Sequence, residues 1–173
     1  MIEQKCKILS SKNCQLYSSV YICIIEDIQE QNFTGKKTPY YTLRSYQNES
    51  MQLYHPVECE NSKIEPVISA ETAAEILEVF KDPASEWQDR PTSRNYQYRE
   101  AINSSDHFEI AQMLNTMLRK KYELARADKK MPSQDAQNLL KVSPILYAEL
   151  ALSLGTTSER IAKKIEEHIL QNP

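Results

Sequence analysis

The strongest constraint on the fold is a change of hydrophobic pattern near Pro66. Before it, residues 14–56 are rich in Tyr, Ile, Leu, Val and Thr, which suit the pleated, half-buried surface of a β-sheet. After it, apolar residues recur at spacings of three and four, the period of an amphipathic α-helix. The sequence therefore predicts an α+β protein with a small antiparallel β domain over residues 1–66 and an all-helical domain over residues 67–173.

Three apolar runs in the first part predict strands, and turn-forming residues separate them. The runs are Gln15 to Ile28, Tyr40 to Tyr46 and Ser50 to Val57. The first run is long for a single strand, so we expect a bend or a break near Ser18 and Ser19. Short strands in this order predict a small, curled antiparallel sheet.

Capping residues divide the second part into helices. Ser69 is expected to cap the first helix, which ends at the sequence Lys81-Asp82-Pro83. Ser93 is expected to cap a short second helix, and Ser105 or Asp106 to open a long third one.

Ser133 is expected to begin the next helical segment, after an interruption that ends at a proline. Pro144 lies inside this segment and predicts a kink, or a helix that restarts at Ser143. Gly155 is suited to end the segment, and Thr156 begins a capping box for the last helix.

Composition excludes several classes of function. Gly35 and Gly155 are the only glycines, so a glycine-rich loop that cradles phosphate is not expected. The formal net charge of −3 argues against non-specific binding to long nucleic acids, because such binding depends on neutralising phosphates. No apolar run approaches ~20 residues and the N-terminus has no apolar signal sequence, so we expect a cytoplasmic protein without a membrane partner.

The residues that usually carry chemistry are scattered. The cysteines and histidines are Cys6, Cys14, Cys23, Cys59, His55, His107 and His168. None has the close spacing of a zinc site, and no nucleophile motif is present. We therefore expect no metal, no cofactor and no enzymatic activity, with the cysteines as free thiols.

A series of segments in order along the chain resembles the CarD-like family of bacterial transcription regulators. The segments are Tyr40-Tyr41-Thr42-Leu43-Arg44, Met51-Gln52-Leu53-Tyr54-His55-Pro56-Val57, Ile64-Glu65-Pro66-Val67-Ile68-Ser69, Trp87, Ser104-Ser105-Asp106 and Leu146-Tyr147-Ala148-Glu149-Leu150-Ala151. The resemblance covers roughly residues 40 to 170, and its signal is the shared order of the segments.

The resemblance implies a two-part function. In this family a Tudor-like (SH3-like) β domain binds a lobe of the RNA polymerase β subunit. The helical domain reaches promoter DNA at the upstream edge of the transcription bubble and stabilises the open complex. We accordingly expect polymerase and promoter DNA as partners, and a monomeric protein.

The expected DNA-contacting residues are Trp87 and the three arginines that follow it, Arg90, Arg94 and Arg99. An aromatic ring can wedge against an unstacked base step while arginines hold phosphates, and we expect the ring of Trp87 to be largely exposed. The alternative for Trp87 is an anchor in the core or between domains.

The expected polymerase-contacting residues are Gln31, Arg44, Leu53 and Tyr54. Arginines that contact polymerase in some relatives correspond to Gln31 and Tyr54, and alternation along the strand predicts that Tyr54 is exposed. The competing hypothesis is a protein-interaction adaptor without DNA contact, in which the β domain binds by strand pairing.

Overall fold

A computed structural model describes residues 4–9, 20–33, 35–46, 48–58, 64–104 and 106–172. It divides the chain into two compact units, which we call the N-terminal unit (Met1–Val67) and the helical unit (Ile68–Pro173). The first contains the strands and the second contains the helices, so the chain has the predicted α+β fold.

The N-terminal unit is one antiparallel sheet with the strand order β4-β3-β2-β1-β5. Its strands are β1 (Gln4–Leu9), β2 (Val20–Gln31), β3 (Thr38–Ser45), β4 (Gln52–Pro56) and β5 (Ile64–Pro66). Strands β2, β3 and β4 confirm the three predicted runs with shifted ends, whereas β1 and β5 were not predicted. The start of the first predicted strand, with Ser18 and Ser19, lies outside the described residues.

A small apolar core lies on one face of β2, β3 and β4. Leu43 in β3 is opposite Ile25 in β2 and Leu53 in β4, and Cys23 lies next to them. Cys23 and Leu43 are fully buried. The pairing of β2 with β3 shifts register just after Ile25, a bulge that bends the long β2 strand.

The described residues of the helical unit form five α-helices. They are α1 (Ala70–Glu78), α2 (Pro91–Asn103), α3 (His107–Arg126), α4 (Ser133–Ser153) and α5 (Ser158–Gln171), and a single 3₁₀ turn (Val79–Lys81) follows α1. No single helix in the described chain is long and apolar enough to cross a membrane, and α4 with α5 meets that test only across a bend of 107°.

The predicted N-terminal caps of α1 and α3 are confirmed, whereas the predicted starts of α2 and α5 were wrong. The side chains of Ser69 and Asp106 accept hydrogen bonds from backbone N–H groups in the first turns of α1 and α3. The second helix starts at Pro91 instead of after Ser93, because proline already has the φ of a first helical residue. The cap of α5 is Thr157, one residue later than predicted.

Helix α4 continues through Pro144 as one element, so the predicted restart at Ser143 was wrong. Proline removes one backbone hydrogen bond to the carbonyl of Leu140. Leu140 is 74% exposed, so water can hydrate that carbonyl, and Ser143 Oγ donates a 2.7 Å hydrogen bond to the carbonyl of Leu139. Gly155 ends α4 with a φ of +62°, as predicted.

The core of the helical unit receives side chains from all the described helices and from the 3₁₀ turn, with Tyr98 as the buried aromatic residue of α2. Its fully buried apolar residues include Ile76, Leu77, Phe80, Leu114, Met117, Leu150, Ile161 and Ile165. Helix α3 contacts each of the other described helices and the 3₁₀ turn, so it lies at the centre of the unit. Helix α3 is therefore a rigid support for any segment that packs along it.

Candidate nucleic-acid interface

The segment that carries the tryptophan, residues 82–90, has no helix or strand of its own but is held by side chains of α3. Asn115 Nδ2 donates to the carbonyl of Asp82 at 2.9 Å, and Thr116 Oγ1 accepts from the backbone N–H of Ser85 at 3.0 Å. Asn115 is 2% exposed, so water does not compete for its bonds. The segment is therefore fixed along α3.

Arg94 in α2 fixes the same segment from the other side. It is 4% exposed, and its guanidinium makes a two-point ion pair with the buried Asp135, with N–O distances of 2.8 and 3.3 Å. Its Nη1 donates to the carbonyls of Gln88 and Asp89 at 2.6 and 2.9 Å. The hydrogen bond to Asp135 raises the pKa of Arg94, so the guanidinium remains charged.

The ring of Trp87 is half-buried and lies close to two cations. The guanidinium carbon of Arg94 is 4.5 Å from the ring centroid, and Nζ of Lys120 is 5.7 Å from it. Both distances fall within the range of cation–π attraction. The ring is thus held by charge as well as by packing, and the expectation that it is largely exposed was wrong.

Three open grooves meet at Trp87, with volumes of about 510, 550 and 550 Å³. The basic groove is lined by Lys120, Lys129, Lys130 and Asp89. The acidic groove is lined by Glu86, Glu100 and Glu109. The third groove is of mixed character, and its lining includes Pro83, Ala84, Ile169 and Leu170 together with Arg119, Lys120, Glu123 and Arg126.

The basic and the acidic groove place opposite charges on two sides of Trp87. Lys129 and Lys130 are exposed in the basic groove and can approach a polyanion. Glu100 and Glu109 are exposed in the acidic groove and repel one. A phosphate backbone that reaches Trp87 would therefore run along the lysines.

The three arginines expected to contact DNA have different positions. Arg90 is exposed at the start of α2. Arg94 is buried in its ion pair with Asp135, so contrary to expectation it is not available to a phosphate. Arg99 is exposed but lines none of the three grooves around Trp87. The nearby cations that sequence reasoning missed include Lys120, Lys129 and Lys130 in the basic groove, and Arg119 and Arg126 in the third groove.

The residues expected to contact polymerase are spread over the sheet of the N-terminal unit. Gln31 ends β2, and Leu53 packs half-buried against the core. Nε of Arg44 makes a 2.5 Å ion pair with Oε1 of Glu26. Tyr54 is 42% exposed, as alternation predicted, and its hydroxyl donates to Gln52 Oε1 at 3.0 Å.

Phe33 adds an exposed aromatic surface that sequence reasoning missed. Its ring is 5.4 Å from that of Tyr54 and 5.1 Å from that of Tyr40, measured between centroids, and it is 58% exposed. Phe33 follows the end of β2 and Tyr54 lies in β4, so the sequence alone did not place them together. We call Phe33 and Tyr54 the aromatic pair.

The described part of the chain holds no cluster of three or more histidine, cysteine or acidic side chains that could bind a metal ion.

A family described as CarD, C-terminal domain, matches residues 75–166, more than half of the chain and most of the helical unit. The match includes Trp87, Arg94 and all of α3. No curated protein matches the sequence.

Proposed function

The chain belongs to the CarD family, a regulatory and non-enzymatic family associated with transcription, and from that membership we propose what its two units bind. The N-terminal unit binds the β subunit of RNA polymerase. The helical unit contacts promoter DNA at the upstream edge of the transcription bubble. The contact stabilises the open complex, because it favours the DNA strands in their separated state.

The observation that carries this proposal is the fixed ring of Trp87 beside a basic groove. Unstacking one base step costs a few kcal/mol, and a ring inserted at that step replaces the lost stacking. Lys129 and Lys130 would hold the neighbouring phosphates, and each contact is sequence-independent. The site therefore suits a distorted duplex at any promoter.

The net charge of −3 explains why this contact needs polymerase. Few lysines face the DNA, so free protein binds it weakly and binding falls steeply with salt. Once the N-terminal unit is bound to polymerase, the helical unit has a high local concentration near the promoter. Few phosphate contacts are then sufficient.

The polymerase contact is proposed for β4 and the end of β2, where Gln31, Leu53 and Tyr54 lie, with Arg44 on the neighbouring strand. The aromatic pair gives this surface a large apolar contact of the kind that dominates protein interfaces. An exposed aromatic surface can replace the arginines that relatives use at two of these positions.

The test compares Trp87→Ala with Tyr96→Ala in open-complex lifetime assays at a weak promoter. Tyr96 is a matched control, because it is an aromatic residue of the same unit that is 65% exposed and lies in the acidic groove. Trp87→Ala should abolish the increase in lifetime while polymerase binding is unchanged. Tyr96→Ala should keep the increase.

A protein-interaction adaptor remains the second candidate, favoured by the acidic groove and the net negative charge. In that case the N-terminal unit binds its partner through a sheet edge and the helical unit binds a second protein. The same assay separates the two functions, because an adaptor would leave open-complex lifetime unchanged by Trp87→Ala.

A further inference from the structure

Arg94 joins three parts of the helical unit at one guanidinium. It extends from α2, pairs with Asp135 in the first turn of α4, and donates to two carbonyls of the segment 82–90, which precedes α2. Those carbonyls belong to Gln88 and Asp89, the two residues directly after Trp87. Arg94 therefore holds the backbone directly after Trp87 and also covers the ring of Trp87.

The chemistry of the Arg94–Asp135 pair indicates that it positions the segment 82–90 more than it stabilises the folded unit. A buried ion pair is weak evidence for stability, because desolvation of the two charges offsets their attraction. The planar fork of an arginine, however, can satisfy a carboxylate and two carbonyls in one fixed geometry, which the single ammonium of a lysine cannot. The buried carboxylate of Asp135 fixes the direction of that fork.

We propose that Arg94 and Asp135 are positioning residues that hold the ring of Trp87 ready for its contact with DNA. The role in DNA contact rests on the proposed function, whereas the contacts that hold the ring do not depend on it. Arg94 itself touches no phosphate. A ring fixed before binding loses little conformational freedom when it meets the base step, so the support is expected to increase the effect on the open complex.

The test uses Trp87 as its own probe, because it is the only tryptophan in the chain. Quenching by acrylamide and fluorescence anisotropy in the full-length protein report the exposure and the mobility of this one ring. Asp135→Asn keeps the shape of the partner and removes its charge. Arg94→Lys keeps the charge and removes the fork. The control is Arg99→Lys, an exposed position on the same helix.

A third, double variant controls for unfolding. Asp135→Asn leaves a buried arginine without its counter-charge, which can destabilise the unit. The double variant Arg94→Met/Asp135→Leu removes both charges and leaves apolar side chains, so the helices can remain packed. Circular dichroism and thermal unfolding identify the variants that are folded, and only these are compared.

Folded variants of the pair should show about a two-fold higher quenching constant and lower anisotropy than the wild type, with Arg99→Lys unchanged. They should also lose most of the effect on open-complex lifetime while polymerase binding is kept. Unchanged quenching and anisotropy in the folded double variant would overturn the inference. If instead Trp87→Ala has no effect on lifetime, the proposed function fails while the fluorescence result still decides the positioning role.

Discussion

Asp128 is the one described residue other than glycine with a positive φ, 54°. It ends α3 in a motif that normally carries glycine, with its own N–H bonded to the carbonyl of Ala125 and the N–H of Lys129 bonded to that of Leu124. Its negative charge also lies at the negative end of the helix dipole. Both features cost free energy in the folded state.

Asp128→Gly should therefore raise the free energy of unfolding by about 1 kcal/mol, because glycine adopts a positive φ without steric strain. Urea unfolding followed by circular dichroism measures the change. Asp128→Ala is the matched control, since it removes the same charge but keeps a Cβ atom. It should stabilise less than glycine or destabilise, and an equal gain from both variants would assign the cost to charge alone.

Arg94 shows the limit of sequence reasoning at the residue scale. An arginine is mostly exposed in proteins, so its position after the tryptophan predicted a phosphate contact. Its partner Asp135 is 41 residues away in the chain, and no local pattern relates the two. The lysines of the basic groove belong to two elements in the same way, with Lys120 in α3 and Lys129 and Lys130 in the following loop.

At the scale of elements, predictions succeeded where the pattern was local. The period of the apolar residues identified all five helices, and the side chains of Ser69 and Asp106 marked two of their starts. Strand β5 has only three residues and pairs with β1, so neither run carried a strong signal of its own. Pairing between distant segments, not propensity, makes them strands.

Strand β4 lies at one end of the sheet formed by the described strands, so none of these strands pairs with its outer edge. That edge and the exposed side chains of β4 can therefore bind another protein. Tyr54→Glu should weaken binding to the polymerase β subunit at least about ten-fold, because a charge would be buried against an apolar partner surface. Binding is measured by titration with the isolated β-subunit lobe.

The matched control is Tyr54→Phe, which keeps the ring beside Phe33 and removes the hydroxyl bond to Gln52. It should bind like the wild type. Phe33→Ala tests the other half of the aromatic pair and should also weaken binding. Wild-type affinity in a folded Tyr54→Glu variant would remove β4 from the interface.

At the scale of the whole molecule, the chain consists of two units that each have a core of their own. The proposed function assigns polymerase to one unit and DNA to the other. The covalent connection then has a function, because it converts DNA contact into an intramolecular event after polymerase binding. A short connection gives effective concentrations near the millimolar range.

The helical unit alone, residues 68–173, should therefore fold but be a poor regulator. Its separate core should give a cooperative thermal transition, monitored by circular dichroism. In open-complex assays it should need a concentration about 10²–10⁴ times that of the full chain for the same increase in lifetime, whether or not residues 1–67 are added separately. Full-length protein with Trp87→Ala is the control for effects of polymerase binding alone. Equal activity of the separate helical unit at the concentration of the full chain would mean that polymerase binding by the N-terminal unit does not deliver it to DNA.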